Sequence, residues 1–175
     1  MNLLEIIRNV VAALDSFGIV LSATCFLVGV VMGISALLQA QRRQVMGPGQ
    51  GSWGAPLATF VTAVMFIALP QFVQVLNGAL FGIGMVSPQS ILSYAPSTIG
   101  RLSTGAAREM LLGITAIVQF IGLIAVARGL LLLNRSAQGG PGPQTFGPGL
   151  TFVIAGTLAT NFPVFVGILE KLILP

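Results

Sequence analysis

The side chains that could do chemistry in this sequence are a few arginines and amides rather than a catalytic set. Four arginines lie near two glycine- and proline-rich stretches, and three amides follow a proline at helical spacing. These residues are Arg42, Arg43, Arg128 and Arg135, and Gln71, Gln74 and Asn77. Guanidinium groups bind phosphates through paired, charge-assisted hydrogen bonds. These residues could therefore bind lipid headgroups and form hydrogen bonds along a polar path.

The composition offers little for catalysis or metal binding. The sequence has no histidine, and its one cysteine, Cys25, cannot form an internal disulfide or a thiolate metal cluster. Its four acidic residues are scattered and follow no metal-ligand spacing. We expect no enzyme, no catalytic residue, no metal site and no cofactor other than structural phospholipid. Basic clusters dense enough for a nucleic-acid groove are missing, so no sequence-specific nucleic-acid partner is predicted.

The composition is that of an integral membrane protein. The chain has 175 residues, of which 55% are hydrophobic and 7% charged, and its mean hydropathy is +0.97. Soluble domains carry about 25% charged residues, so this chain has too few charges to cover a water-facing surface. Its length accommodates roughly four spans of about 20 residues each. We predict an all-α, integral membrane four-helix protein.

Four apolar runs and their breaks define the predicted organisation. An amphipathic N-terminal helix is expected in the membrane interface, with a cleaved signal peptide as the alternative; two hairpins follow, joined by a connecting segment. Pro70 and Pro163 lie inside the second run of each hairpin and are expected to kink or split it. The helix, first hairpin, connector and second hairpin cover residues 1–16, 17–86, 87–109 and 110–175.

The chain matches itself without a gap at an offset of 93 residues, beginning with Arg8 and Arg101 and continuing through the two hairpins. Apolar composition produces chance identities, but not easily arginines, GPG turns and mid-helix prolines in one register. The matching features are Arg42 with Arg135, Gly47-Pro48-Gly49 with Gly140-Pro141-Gly142, and Pro70 with Pro163. We interpret this as duplication of one hairpin, the alternative being convergence on common membrane sequence features. Each unit has two spans, so both copies share one orientation, unlike inverted repeats.

The distribution of charge predicts which side of the membrane the loops face. The two GPG loops have Arg42, Arg43 and Arg135 at their edges and no acid, whereas the opposite side mixes basic and acidic residues. Short loops rich in arginine and lysine stay in the cytoplasm. The GPG loops are therefore predicted to be cytoplasmic and both termini periplasmic.

The candidate functional residues have alternative interpretations. Arg128 is the one charge within a predicted span, and its guanidinium can snorkel to the headgroups. Alternatively it forms, with the three arginines at the loops, a ring that holds lipid phosphates or lines an aqueous lumen. The strip of Gln71, Gln74 and Asn77 provides either hydrogen bonds between helices or a water-lined path or subunit contact.

The last apolar run resembles a known family. Residues 149–161, GLTFVIAGTLATN, contain the small-residue step Ala155-Gly156 followed by Asn161. This pattern resembles the IcmC/DotE and TraQ-like family of small inner-membrane proteins of type IVB secretion and I-type conjugation systems. The repeat unit is also similar to conjugative pilins, in which a short basic cytoplasmic loop joins two apolar helices. In such pili the basic loop faces the lumen and meets phospholipid headgroups.

The resemblance implies a structural role in the bacterial inner membrane. The chain would be a subunit of a type IVB secretion or conjugation apparatus, and a pilin-like protein that polymerises with phospholipid into an extracellular conjugative pilus. Its partners would be membrane lipid, further copies of itself and other secretion or conjugation subunits. The alternative function is a membrane channel or transport scaffold, with its polar path near Arg128 and the strip of Gln71, Gln74 and Asn77.

Overall fold

All regular structure in the described part of the chain is helical. The computed structural model describes residues 3–45, 53–82, 105–139, 145–162 and 164. Within these ranges there are five α-helices and no strand, as the all-α prediction requires. The helices are α1 (Leu3–Val45), α2 (Gly54–Ile67), α3 (Leu69–Phe81), α4 (Gly105–Ala137) and α5 (Phe146–Thr160).

Helix α1 is longer than one membrane span. It comprises 43 residues, which is about 65 Å at 1.5 Å per residue. The sequence predicts a separate amphipathic helix over residues 1–16, but α1 continues through Ser16 and Gly18 without a break. A single glycine inside a helix costs only about 1 kcal/mol relative to alanine, so the good helix formers on both sides extend the helix across it. The amphipathic segment is the first part of a longer helix.

The second apolar run is divided at Ala68, two residues before Pro70, where the sequence predicts a kink or a split. Ala68 has non-helical dihedral angles, φ −104° and ψ 33°, and the axes of α2 and α3 differ by 94°. Pro70 lies in the first turn of α3, where its missing N–H has no helical partner to lose. Inside a continuous helix the same ring would clash with the preceding turn. Pro163 lies outside the described residues.

Among the described residues, two helical segments are long and apolar enough to cross a membrane. They are Ser16–Gln44 within α1 and Gly113–Ala137 within α4. The bent pair of α2 and α3 meets the same criterion only when both arms are counted as one span. Helix α5 is apolar but has only 15 residues. The structure therefore fits a membrane location, and four spans stay a prediction.

The core forms where two pairs of helices meet. Helix α1 packs along α2, and α4 packs along α5; α4 also packs against both α1 and α2. Helix α3 makes smaller contacts with the other four. The buried apolar cluster at this junction comprises Cys25, Phe66, Leu69, Val73, Val126, Ala127, Leu130 and Val153. Many large apolar side chains remain exposed along α1 and α2, which suits helices that face hydrocarbon.

Candidate functional site

The two long helices end in exposed arginines. Arg42 lies in the last turn of α1 and Arg135 in the last turn of α4, and both side chains are exposed. Arg43 is half-buried, and its Nη1 atom has no hydrogen-bond partner among the described residues. Cations are favourable at a helix C-terminus, where the carbonyl groups carry partial negative charge. Two guanidinium groups are thus open to an anionic ligand such as a phosphate.

Arg128 lies inside the second long helix, on its surface. The side chain is exposed, and its Cζ atom is 5.3 Å from the centroid of the Phe152 ring on α5. A cation over an aromatic face gains about 0.5–2 kcal/mol from the ring quadrupole. The sequence has no acidic residue between Glu109 and Glu170. Sequence reasoning missed Phe152, because only the packing of α4 on α5 shows which side chain faces Arg128.

The structure divides the predicted polar strip into an exposed and a buried part. Gln71 and Gln74 are exposed on α3, whereas Asn77 is 0% exposed. Positions six apart in a helix differ by about 120° around its axis, so the strip is too broad to form one surface. Neither Oδ1 nor Nδ2 of Asn77 has a hydrogen-bond partner among the described residues. The strip is therefore two external amides and one internal amide.

The buried amide of Asn77 is expected to lower the thermal stability of the protein. We expect Asn77→Leu to raise the thermal unfolding midpoint, because an unsatisfied buried amide costs about 1–3 kcal/mol and leucine has the same branched skeleton without polar atoms. Asn77→Asp is expected to lower the midpoint, since it buries a carboxyl group at the same place. Unfolding can be followed in detergent through the reactivity of the buried Cys25 thiol. A lower midpoint for Asn77→Leu would mean that the amide is paired with groups beyond the described residues.

A second group of buried polar side chains lies at the end of α5. Thr157, Thr160 and Asn161 are each 0% exposed. The Thr160 hydroxyl donates to the Thr157 carbonyl at 2.7 Å, and Gln119 of α4 donates through Nε2 to the Thr160 carbonyl at 3.0 Å. Sequence reasoning singled out only Asn161, although a Thr-Asn-Phe-Pro sequence within an apolar run signals a helix end. These bonds satisfy polar groups that hydrocarbon would leave unpaired.

Glycines bring α4 and α5 into close contact. A Cβ atom at Gly122 would lie 2.7 Å from the Gly156 carbonyl oxygen, and one at Gly129 would lie 2.8 Å from the Gly149 carbonyl oxygen. Such distances leave no room for a side chain, so the two backbones touch directly. Small residues that allow this approach are typical of helix pairs in membranes. The contact includes Gly156, the second residue of the small-residue step that carries the family resemblance.

Comparisons with known proteins identify no relative. No protein-family model, no curated protein and no solved structure matches this chain.

Proposed function

We propose that this chain is a structural membrane subunit of a type IVB secretion or conjugation apparatus, pilin-like in architecture, that polymerises with phospholipid. The observation that carries the proposal is the matched ending of the two long helices. Each apolar helix ends in an exposed arginine, Arg42 or Arg135, and a GPG sequence follows each. This is the pattern of the conjugative pilin unit, in which a basic loop meets lipid headgroups.

Two tandem hairpins related by the sequence repeat are part of the proposal. Gly29 of α1 and Gly122 of α4 stand at equivalent positions, and a Cβ atom added to either would come within 3.0 Å of backbone atoms of the next helix. The residues met are themselves equivalent. They are Ala63 and Ile67 for Gly29, and Gly156 and Thr160 for Gly122. The same atomic contact in both hairpins supports one duplicated unit.

The ends of α2 and α5 support the same duplication. Helix α2 is followed by Ala68, with φ −104° and ψ 33°, and α5 by Asn161, with φ −118° and ψ 35°. These two residues occupy equivalent positions in the repeat, two residues before Pro70 and Pro163. Helix breaks at equivalent positions before equivalent prolines are expected if both hairpins derive from one duplicated sequence.

Orientation and partners complete the proposal. The GPG loops lie in the cytoplasm and both termini in the periplasm, because the acid-free arginines concentrate at the loops. Lipid phosphates bind to Arg42, Arg43 and Arg135, and Arg128 faces the headgroups or a lumen of the assembly. The partners are lipid, further copies of the chain and other secretion or conjugation subunits of the inner membrane.

A channel or transport scaffold is the second candidate function. The observation that favours it is Asn77, whose amide is 0% exposed and has no partner among the described residues, on a helix bent by 94° from its neighbour. Bent and broken helices in transporters hold polar sites within the membrane. In that case the chain works as a small number of copies rather than as a filament.

Deletion and fractionation in the bacterium that encodes the chain test the proposal. We expect deletion to abolish DNA or protein transfer, and sheared surface filaments from the complemented strain to contain this chain as the main protein with phospholipid. Confinement to the inner membrane together with other transfer subunits would support a role in the machine and refute the pilin role. Normal transfer without the gene would refute the whole proposal and favour the channel.

A further inference from the structure

The contact between the two hairpins is one-sided. Helix α4 packs extensively against both α1 and α2, whereas α5, the counterpart of α2, makes no extensive contact with α1 among the described residues. A twofold relation between the hairpins would require α5 to contact α1 as α2 contacts α4. The hairpins are therefore related head to tail. A head-to-tail contact uses two different faces, and it leaves one copy of each face uncovered.

The first uncovered face lies on α1. One side of this helix is exposed between Val20 and Gln41, at positions whose repeat equivalents on α4 are buried or half-buried. Val20, Leu27, Ile34 and Leu37 are between 54% and 64% exposed. We call this side the outer face of α1. It consists of Val20, Ala23, Leu27, Ile34, Leu37 and Gln41, with the equivalents Gly113, Ala116, Phe120, Ala127, Leu130 and Asn134.

The second uncovered face lies on α4, on α5 and on Phe162 just after α5. Its residues are exposed, whereas their equivalents in the first hairpin are buried or half-buried. We call this side the open face of the second hairpin. It consists of Ile114, Ile121, Arg128, Phe152, Ala155 and Phe162, with the equivalents Leu21, Val28, Ser35, Thr59, Thr62 and Leu69.

We propose that a second copy of this chain docks its outer face of α1 against the open face of the second hairpin, and that the contact repeats from copy to copy. The inference rests on the tandem-hairpin proposal, because it extends the contact inside the chain to the contact between chains. Both faces are largely apolar, and each is the counterpart of a face already in contact within the chain. A head-to-tail contact of this kind produces a ring or a filament.

Because it carries Arg128, this surface is better covered by protein than by lipid tails. An arginine near the centre of a spanning helix is costly to surround with hydrocarbon. Phe152 covers one side of its guanidinium, and the incoming outer face carries one amide, Gln41, towards the same end of the helix. A phosphate from trapped lipid can approach at that end as well.

Disulfide cross-linking in native membranes tests the contact. Val28 of α1 and Ala127 of α4 both belong to the apolar packing between the hairpins. The equivalent of Val28 is Ile121 on the open face, and the equivalent of Ala127 is Ile34 on the outer face of α1. We therefore expect Ile121 of one copy to meet Ile34 of the next copy across the proposed contact. With Cys25→Ala as background, the variant with Ile34→Cys and Ile121→Cys is expected to give trimers and longer ladders on oxidation. A second pair is Leu37→Cys with Ile121→Cys, which is expected to give the same ladders. Leu37 and Ile121 are the repeat equivalents of Leu130 and Val28.

Matched controls separate docking from random collision. Val31 and Ile124 are equivalent to each other and exposed in both hairpins, so Val31→Cys with Ile124→Cys should give no ladder. Equal cross-linking in this control, dimers from Ile121→Cys alone, or no cross-linking in inserted chains would each overturn the inference. Loss of DNA transfer in the deletion strain tests the proposed function separately, and it can hold where the ladder fails.

Discussion

Replacing Gly122 with alanine is expected to destabilise the protein, although the same change at Gly33 is expected to stabilise it. A Cβ atom at residue 122 would lie 2.7 Å from the Gly156 carbonyl oxygen and 2.9 Å from the Thr160 nitrogen. Backbone atoms cannot move aside cheaply, and overpacking of this kind costs about 1–3 kcal/mol. At Gly33 the nearest atom is the Ala63 Cβ at 3.9 Å. Alanine there gains up to about 1 kcal/mol of helix propensity.

The two substitutions are expected to change the thermal stability in opposite directions, so a general effect of an added methyl group cannot explain both results. Both glycines lie inside long helices, so general effects of adding a methyl group are shared. The thermal unfolding midpoint of each variant can be measured in one detergent, through the reactivity of Cys25, which is 5% exposed in the folded chain. Gly29→Ala should resemble Gly122→Ala, because its Cβ atom would lie 2.9 Å from the Ala63 carbonyl oxygen. A midpoint for Gly122→Ala at or above that of Gly33→Ala would contradict the backbone contact.

Removal of the arginines at the GPG loops is expected to abolish assembly while the chain still inserts. Each basic residue near an anionic membrane surface contributes about 1 kcal/mol. Changing Arg42, Arg43 and Arg135 to glutamine should therefore remove about 3 kcal/mol of lipid binding, or roughly 150-fold in affinity. The measurements are the anionic phospholipid that co-purifies with the chain, the yield of assembled material and resistance to alkaline extraction, which reports insertion.

Two further variants separate charge from packing. The lysine triple variant keeps the charge and should retain most of the lipid, although it loses the paired hydrogen bonds of guanidinium. The glutamine change at Arg42 and Arg135 alone spares Arg43, which is half-buried, and should give most of the effect. Normal assembly of the glutamine triple variant would refute the role of these residues in holding lipid phosphates.

Much of the architecture could be predicted because hydrophobicity and charge act locally along a chain. The low charge content indicated a membrane protein, and the helices found in the described ranges agree with the all-α prediction. Pro70 predicted a division in the second run, since a proline ring disrupts any helix interior. The position of the break at Ala68 was not predictable to the residue, because a proline is tolerated anywhere in the first turn of a new helix.

The candidate sites were predicted as residues but not as arrangements. The arginines at the helix ends could be recognised from spacing, since charges in an apolar chain collect at its boundaries. The burial of Asn77 beside the exposed Gln71 and Gln74 depends on how α3 turns after the bend, which local sequence does not specify. The Arg128 contact with Phe152 likewise depends on the packing of α4 on α5.

By itself, the sequence determined the low charge content, the apolar runs and the offset at which the chain matches itself, because these depend on residue type and spacing along one dimension. Only the tertiary structure decided which faces are covered. Ala127 is buried, whereas Ile34, which lies 93 residues before it, is exposed. In the tandem arrangement that we propose, equivalent residues acquire different surroundings because the two units meet through different faces.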